Sequence, residues 1–207
     1  MIAEDDLGRW DPLGVPEVAA LLAEVAAPWW VAGGHAVELA VGRPVRAHSD
    51  VDVVVLRPDV ATFRLALADW ELWAADPPGT LRRWDPGEPL PTRVHDIWCR
   101  PTASAPWRLQ LMVDERVGGE WVSRRDPRVR RPVAGLGWRT ATGVPVLAPE
   151  VQLYYKAAAP RHRDEIDFAA VLPRLDEGRR TWLRNHLGAD HPWRTRLDDE
   201  GPSPRRG

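Results

Sequence analysis

The sequence predicts an α+β chain: a mixed-sheet domain over residues 1–145, a small helical domain over 146–195 and a disordered tail over 196–207. Three observations predict it. Short runs of strand character recur through the first part, the cleanest being Trp107 to Val113, where Trp107, Leu109, Leu111 and Val113 share one face. From Ala148-Pro149-Glu150 the period changes to helical, with Val151, Tyr154, Tyr155 and Ala158 on one side. From Leu197 the chain is polar, with Gly and Pro.

Residues 1–14 read as a loosely held arm. Pro16 and Glu17 suit a helix first turn, and Val18, Leu21, Leu22 and Val25 make its apolar stripe, which ends at Pro28. A strand over 29–32 enters a glycine turn, and a helix follows over 35–41 until Gly42-Arg43-Pro44 breaks it. A strand over 50–56, a helix over 60–68 and a strand over 70–75 come next. The Pro- and Gly-rich stretch 76–91 reads as loops. Strands are expected over 94–99, then 107–113, with short ones around Trp121-Val122 and Val129. Helices follow from residue 149 to Pro160, from Asp164 to Leu172, and from Glu177 to Leu187 with Gly188 closing the last.

Composition is that of a soluble globular protein, with 44% hydrophobic and 28% charged residues. A net charge of −2 gives no global electrostatic grip on nucleic acid. The one cysteine, Cys99, excludes an intrachain disulfide and fits a reducing compartment. The acidic N-terminus has the wrong sign for a signal peptide. The most apolar window, 26–41, is too short for a bilayer and contains His35 and Glu38. A cytoplasmic location is the expectation. Lys156 is the only lysine in a chain that otherwise uses arginine, kept either by chance or because that site needs a compact ammonium.

The run Trp29-Trp30-Val31-Ala32-Gly33-Gly34-His35-Ala36 brings backbone N–H groups to a helix start, where anions are favoured. Past the fifteen residues that follow Gly34, Asp50 and Asp52 stand two apart on a strand, so both carboxylates face one way and can grip the same divalent ions. A phosphate cradle beside metal carboxylates is the equipment of phosphoryl or nucleotidyl transfer. Arg46 lies between the two features and is a candidate phosphate contact. Asp96 and Asp114 end or line later strands, and either is a candidate third carboxylate.

The pattern GG-H-A, then G-R-x-x-R-x-H-x-D-x-D with apolar residues after it, resembles the polymerase-β-type nucleotidyltransferases. Within them it is similar to the aminoglycoside-2''-adenylyltransferase and lincosamide nucleotidyltransferase branch. The resemblance implies a Mg²⁺-dependent enzyme, with two ions, that moves AMP from ATP or another NTP onto an acceptor hydroxyl, an aminoglycoside-like small molecule being one candidate. It implies Asp50 and Asp52 as metal ligands. It places the third carboxylate some forty residues on, at Asp96, which shares a metal and acts as general base on the acceptor; Asp114 is the rival. Gly33, Gly34, His35, Arg46 and Lys156 would hold the triphosphate. Many members carry Ser after the first glycine, whereas here Gly34 is followed by His35.

The segment Lys156…Arg161-His162-Arg163-Asp164…Asp167 is similar to one in nucleotidyltransferases related to abortive-infection toxins, where the Lys reaches the triphosphate. An Arg163–Asp167 pair at i, i+4 would explain part of it without function. The Arg124–Arg131 cluster reads as a solvated face. Two other readings are carried: a toxin-type nucleotidyltransferase acting on RNA or protein, with nucleic acid entering only as acceptor, and a non-catalytic module with a Trp-rich interface. The acceptor, the NTP and the oligomeric state are not legible.

Overall fold

Residues 2–3 and 7–198 are described by the computed structural model. The chain runs β1 (Ile2–Ala3), α1 (Val15–Leu21), β2 (Trp29–Val31), α2 (Gly33–Val41), β3 (Asp52–Leu56), α3 (Val60–Ala66), β4 (Glu71–Ala75) and β5 (Thr80–Arg83). It continues through β6 (Asp96–Arg100), β7 (Leu109–Val117), β8 (Glu120–Val122), β9 (Arg130–Pro132), β10 (Gly137–Arg139) and β11 (Pro145–Leu147). Four helices close it: α4 (Pro149–Lys156), α5 (His162–Val171), α6 (Glu177–His186) and α7 (Trp193–Asp198). The strands form one mixed sheet in the order β1-β5-β4-β6-β7-β3-β2-β11-β10, with β8 and β9 extending from the far end of β7. β3 is parallel to β7 and β2 to β11, while the other neighbours are antiparallel. The architecture is α+β.

Both faces of the sheet are covered, which is why β3 reads as an unbroken run Val53-Val54-Val55-Leu56 rather than an alternating one. Val53 and Val55 pack with Val18, Leu22, Phe63 and Leu67, under α1 and α3. Val54, Leu56 and Trp30 pack with Val37, Leu153, Phe168 and Trp193, under α2 and the C-terminal helices. Those helices therefore share a core with the sheet, and the domain boundary expected at residue 145 falls at the start of β11.

The structure corrects several expectations. The stretch 76–91 is not all loop: β5 pairs with β4 through Trp73–Arg83 and Ala75–Leu81. Its four residues mix Thr, Leu and Arg, too short a run for periodicity to register. The arm is not loose over its described residues. The N–H of Asp11 reaches Trp107 O at 3.0 Å and that of Leu13 reaches Arg108 O at 2.9 Å, so main-chain pairing holds what composition left unanchored. β10 and β11 were not foreseen, each having only three residues. α7 runs to Asp198, past the expected start of the tail, because Trp193 and Leu197 are buried; residues 199–207 lie outside the described residues. No helix among the described residues is long and apolar enough to cross a membrane.

Candidate active site

The turn from β2 into α2 is locked by its neighbours. The N–H of Ala32 donates to Asp52 O at 2.8 Å, carrying the β2–β3 ladder to the glycine turn. Gly33 has φ +64°, and a Cβ there would stand 2.2 Å from Asp52 Oδ2, so only glycine fits. A Cβ at Gly34 would meet the His48 ring at 2.2 Å and Arg46 Nη2 at 2.7 Å. These two glycines let the turn press against the carboxylate strand and its loop. The Gly33 N–H is taken by the buried Oε1 of Gln152 at 2.8 Å. The N–H groups of Gly34 and His35 remain at the start of the nine-residue α2, where the helix dipole favours an anion.

Register places the carboxylates. Asp52 pairs with Gln110 of β7, and Gln110 with Trp98 of β6; Asp96 lies two residues before Trp98, opposite Met112. Asp52 and Asp96 thus share one face of the sheet. Gln110 Nε2 donates to Asp96 Oδ1 at 3.0 Å. Neither the Asp50 nor the Asp52 carboxylate takes a hydrogen bond or ion pair from any described residue. Burial, then the Asp50 and Asp96 charges, push the Asp52 carboxyl up to about 7, against the opposing pull of Lys156 and Arg124. Unpaired, mutually repelling oxygen donors suit a hard divalent cation, and Asp50, Asp52 and Asp96 could hold one. Their ligand atoms are not drawn tightly together: among the described residues the one such group within 4.8 Å is His35, Glu38 and His48.

That group is already bonded within the fold. Glu38 Oε1 accepts the N–H groups of Val45 and Arg46, at 2.8 and 3.2 Å, and lies 2.9 Å from His48 Nε2. Arg46 Nη1 lies 3.2 Å from His48 Nδ1, and the His35 and His48 rings are 4.4 Å apart. Burial and the His48 charge hold the His35 pKa below its usual value. The His35 ring is therefore part of the packing of the loop that delivers Asp50.

Arg46 and Lys156 are also engaged. Arg46 binds Asp167 through two bonds of 2.9 Å, and Lys156 Nζ sits 2.9 Å from Asp164 Oδ1 and 2.8 Å from Asp167 Oδ2. The Lys156 side chain is only 8% exposed. The expected cleft-facing lysine is instead the centre of a buried cluster, with Asp167 paired to Arg46 and Lys156 and not to Arg163. Asp114 is buried as well, its Oδ2 accepting from Trp121 Nε1 at 2.7 Å and Tyr155 OH at 2.8 Å. It anchors α4, four residues along β7 from Gln110. The Arg124–Arg131 cluster is only partly a solvated face. Arg124 lies beside Asp114 with its guanidinium over Tyr155, Arg125 bonds the carbonyl of Tyr155, and Arg131 pairs with buried Glu150 at 2.8 Å.

Sequence reasoning missed Gln110, Gln152 and Arg124. Gln110 had a weak signal, a polar residue on the face of β7 opposite Leu109 and Leu111. Gln152 had none, since its partner is 119 residues away.

A family model described as aminoglycoside-2''-adenylyltransferase matches residues 15–73, a stretch that includes Gly33, Gly34, Asp50 and Asp52. A crystal structure of ANT(2'')-Ia in complex with adenylyl-2''-tobramycin superposes with a TM-score of 0.51 at 13% identity, covering 83% of this chain and 94% of that one. A lincomycin-bound lincosamide adenylyltransferase, LnuA, gives 0.53 at 13% identity, over 78% and 96% of the two chains. The chain shares the fold of these two structures. Its resemblance to the aminoglycoside and lincosamide branch rests on the family match over the glycine turn and carboxylate pair together with these neighbours. No curated protein matches the sequence. In this shared fold Asp96, Asp114 and Lys156 fall outside the matched segment.

Proposed function

We propose that the protein is a nucleotidyltransferase that moves a nucleoside monophosphate, AMP from ATP, onto a hydroxyl of a small-molecule acceptor of the aminoglycoside or lincosamide kind. The observation that carries the reading is the carboxylate pair Asp50 and Asp52, whose side chains have no hydrogen-bond or ion-pair partner among the described residues, with Asp52 pressed against the glycine turn that opens α2. Asp50, Asp52 and Asp96 would hold Mg²⁺, which when bound neutralises the charge that builds on the phosphates. The N–H groups of Gly34 and His35 orient the triphosphate. Asp96, steadied by Gln110, takes the proton from the acceptor hydroxyl. Arg46 and Lys156 act through the buried cluster with Asp164 and Asp167, which fastens the loop before Asp50 to α5. Little more is asked of the protein than position and charge.

Incubation with α-labelled NTPs, Mg²⁺ and a panel of aminoglycosides and lincosamides tests this. Label transferred to an acceptor by the wild type, and lost in Asp96→Asn with nucleotide binding retained, is the expected result. Transfer that survives Asp96→Asn but not Asp114→Asn would overturn the assignment of the base.

A further inference from the structure

A cleft of about 610 Å³ opens between the end of α1 and the β10–β11 hairpin, at the end of β2 away from the glycine turn. Its volume is that of a small-molecule site, for which about 300–1,000 Å³ is usual. Leu22, Pro28 and Val144 supply apolar wall. The polar groups that the side chains of Trp30, Trp138 and Arg139 present are all donors, and no carboxylate lines the cleft.

Trp30 is the informative residue. It is 7% exposed, and its pyrrole edge lies over Gly137, where a Cβ would stand 2.2 Å from Cδ1 and 2.6 Å from Nε1. Its indole N–H donates to no described residue, yet it is not among the buried polar atoms left without a partner, so solvent reaches it. A buried indole usually finds an acceptor. Here water in the cleft can accept it, and a ligand acceptor in the cleft can replace that water. The half-buried Trp138 likewise makes no hydrogen bond or ring contact with any described residue. The exposed Arg139 spends one nitrogen on Gly143 O at 2.7 Å and keeps its charge unpaired among the described residues.

We infer that this cleft is a second small-molecule site that takes an aromatic anion: a ring packed against the indole and aliphatic walls, with its anionic group accepting from Trp30, Trp138 and Arg139. The N–H donors outnumber the one side-chain acceptor of the lining, the Thr142 hydroxyl, and one of them is charged, which favours a carboxylate or sulfonate over an amine. The site is separate from the glycine turn, three residues or about 10 Å further along the strand.

The full-length chain is titrated with anilinonaphthalene sulfonate, followed by fluorescence, and with uncharged N-phenylnaphthylamine as comparison. One saturable sulfonate site is expected, with the neutral probe more than about 10-fold weaker. Arg139→Gln, at an exposed position, and Trp138→Phe, which keeps the ring and removes the N–H, should each weaken the sulfonate while circular dichroism stays unchanged. Saturating MgATP should not displace it. Equal binding of the two probes, or unaltered sulfonate binding in both variants, overturns the inference. Displacement by MgATP also overturns it, since that places the anion at the glycine turn. None of these outcomes depends on whether adenylyl transfer is found.

Discussion

A methyl group at Gly33 would meet two obstacles at once, a left-handed backbone and the Asp52 carboxylate 2.2 Å away. The first costs on the order of 1 kcal/mol for a non-glycine residue. The second moves Asp52 out of place. Gly33→Ala should therefore fold and yet lose most of the rise in melting temperature that ATP with Mg²⁺ gives the wild type. A full ligand-induced shift in Gly33→Ala would show that the close approach of turn and carboxylate is incidental. Asp50→Asn combined with Asp52→Asn should abolish the same shift without lowering the stability of the metal-free chain, because neither carboxylate has a partner to lose. Thermal scans of the double variant, with and without MgATP, check both halves of that statement.

Helices α4 and α5 meet through Lys156, whose ammonium is shared by Asp164 and Asp167, side chains 1% and 0% exposed. Removing the lysine leaves Asp164 to Arg161 and Asp167 to Arg46, each short of one charged partner. Lys156→Ala should cost about 1.5–3 kcal/mol, more than a solvated lysine would. A urea midpoint within error of the wild type would show that the cluster contributes nothing. The pH dependence has a definite sign. Burial raises the Asp164 carboxyl, but hydrogen bonds from the Arg161 side chain and N–H and from Lys156 more than offset this, leaving it well below the usual carboxylate range. A depressed folded pKa means stability that is present above the unfolded value, near 3.9, and lost as pH falls toward the folded one. The stability gap between wild type and Asp164→Asn should hold steady from neutral pH to about 5 and shrink below about 4. Denaturant titrations across that range measure it.

Across the whole molecule, one cluster of buried residues runs from Trp30, Val54 and Leu56 on the sheet to Phe168 and Trp193 in the C-terminal helices. Trp193 is fully buried and stacked on Phe168 with centroids 4.2 Å apart. Two parts that share a core should unfold together. Trp193→Ala should cost about 3–5 kcal/mol and lower the midpoint of a single transition. If calorimetry instead separates a helical unit melting ahead of the sheet, the shared core does not couple them.

What the sequence by itself determined is what short-range geometry controls. Gly33-Gly34 opening a helix, Asp52 leading into the apolar run of β3, and the change of period at residue 149 all depend on neighbours within a few positions, where sterics and side-chain alternation act; Asp50, expected on the same strand, lies in the loop before it. The tertiary structure alone decided which groups are free. Lys156 read as a phosphate contact because it is the one lysine of the chain, and Arg46 because it lies between the glycine turn and the carboxylates. Asp167, 121 residues from Arg46, takes both. The Gly33 N–H read as a donor to phosphate, and Gln152 occupies it. Asp114, read as a rival base, accepts from Trp121 and Tyr155 in the buried interior. A charge or donor advertises its chemistry in the sequence, but whether it is already satisfied depends on groups that only the packing of α4 and α5 onto the sheet brings within hydrogen-bond distance.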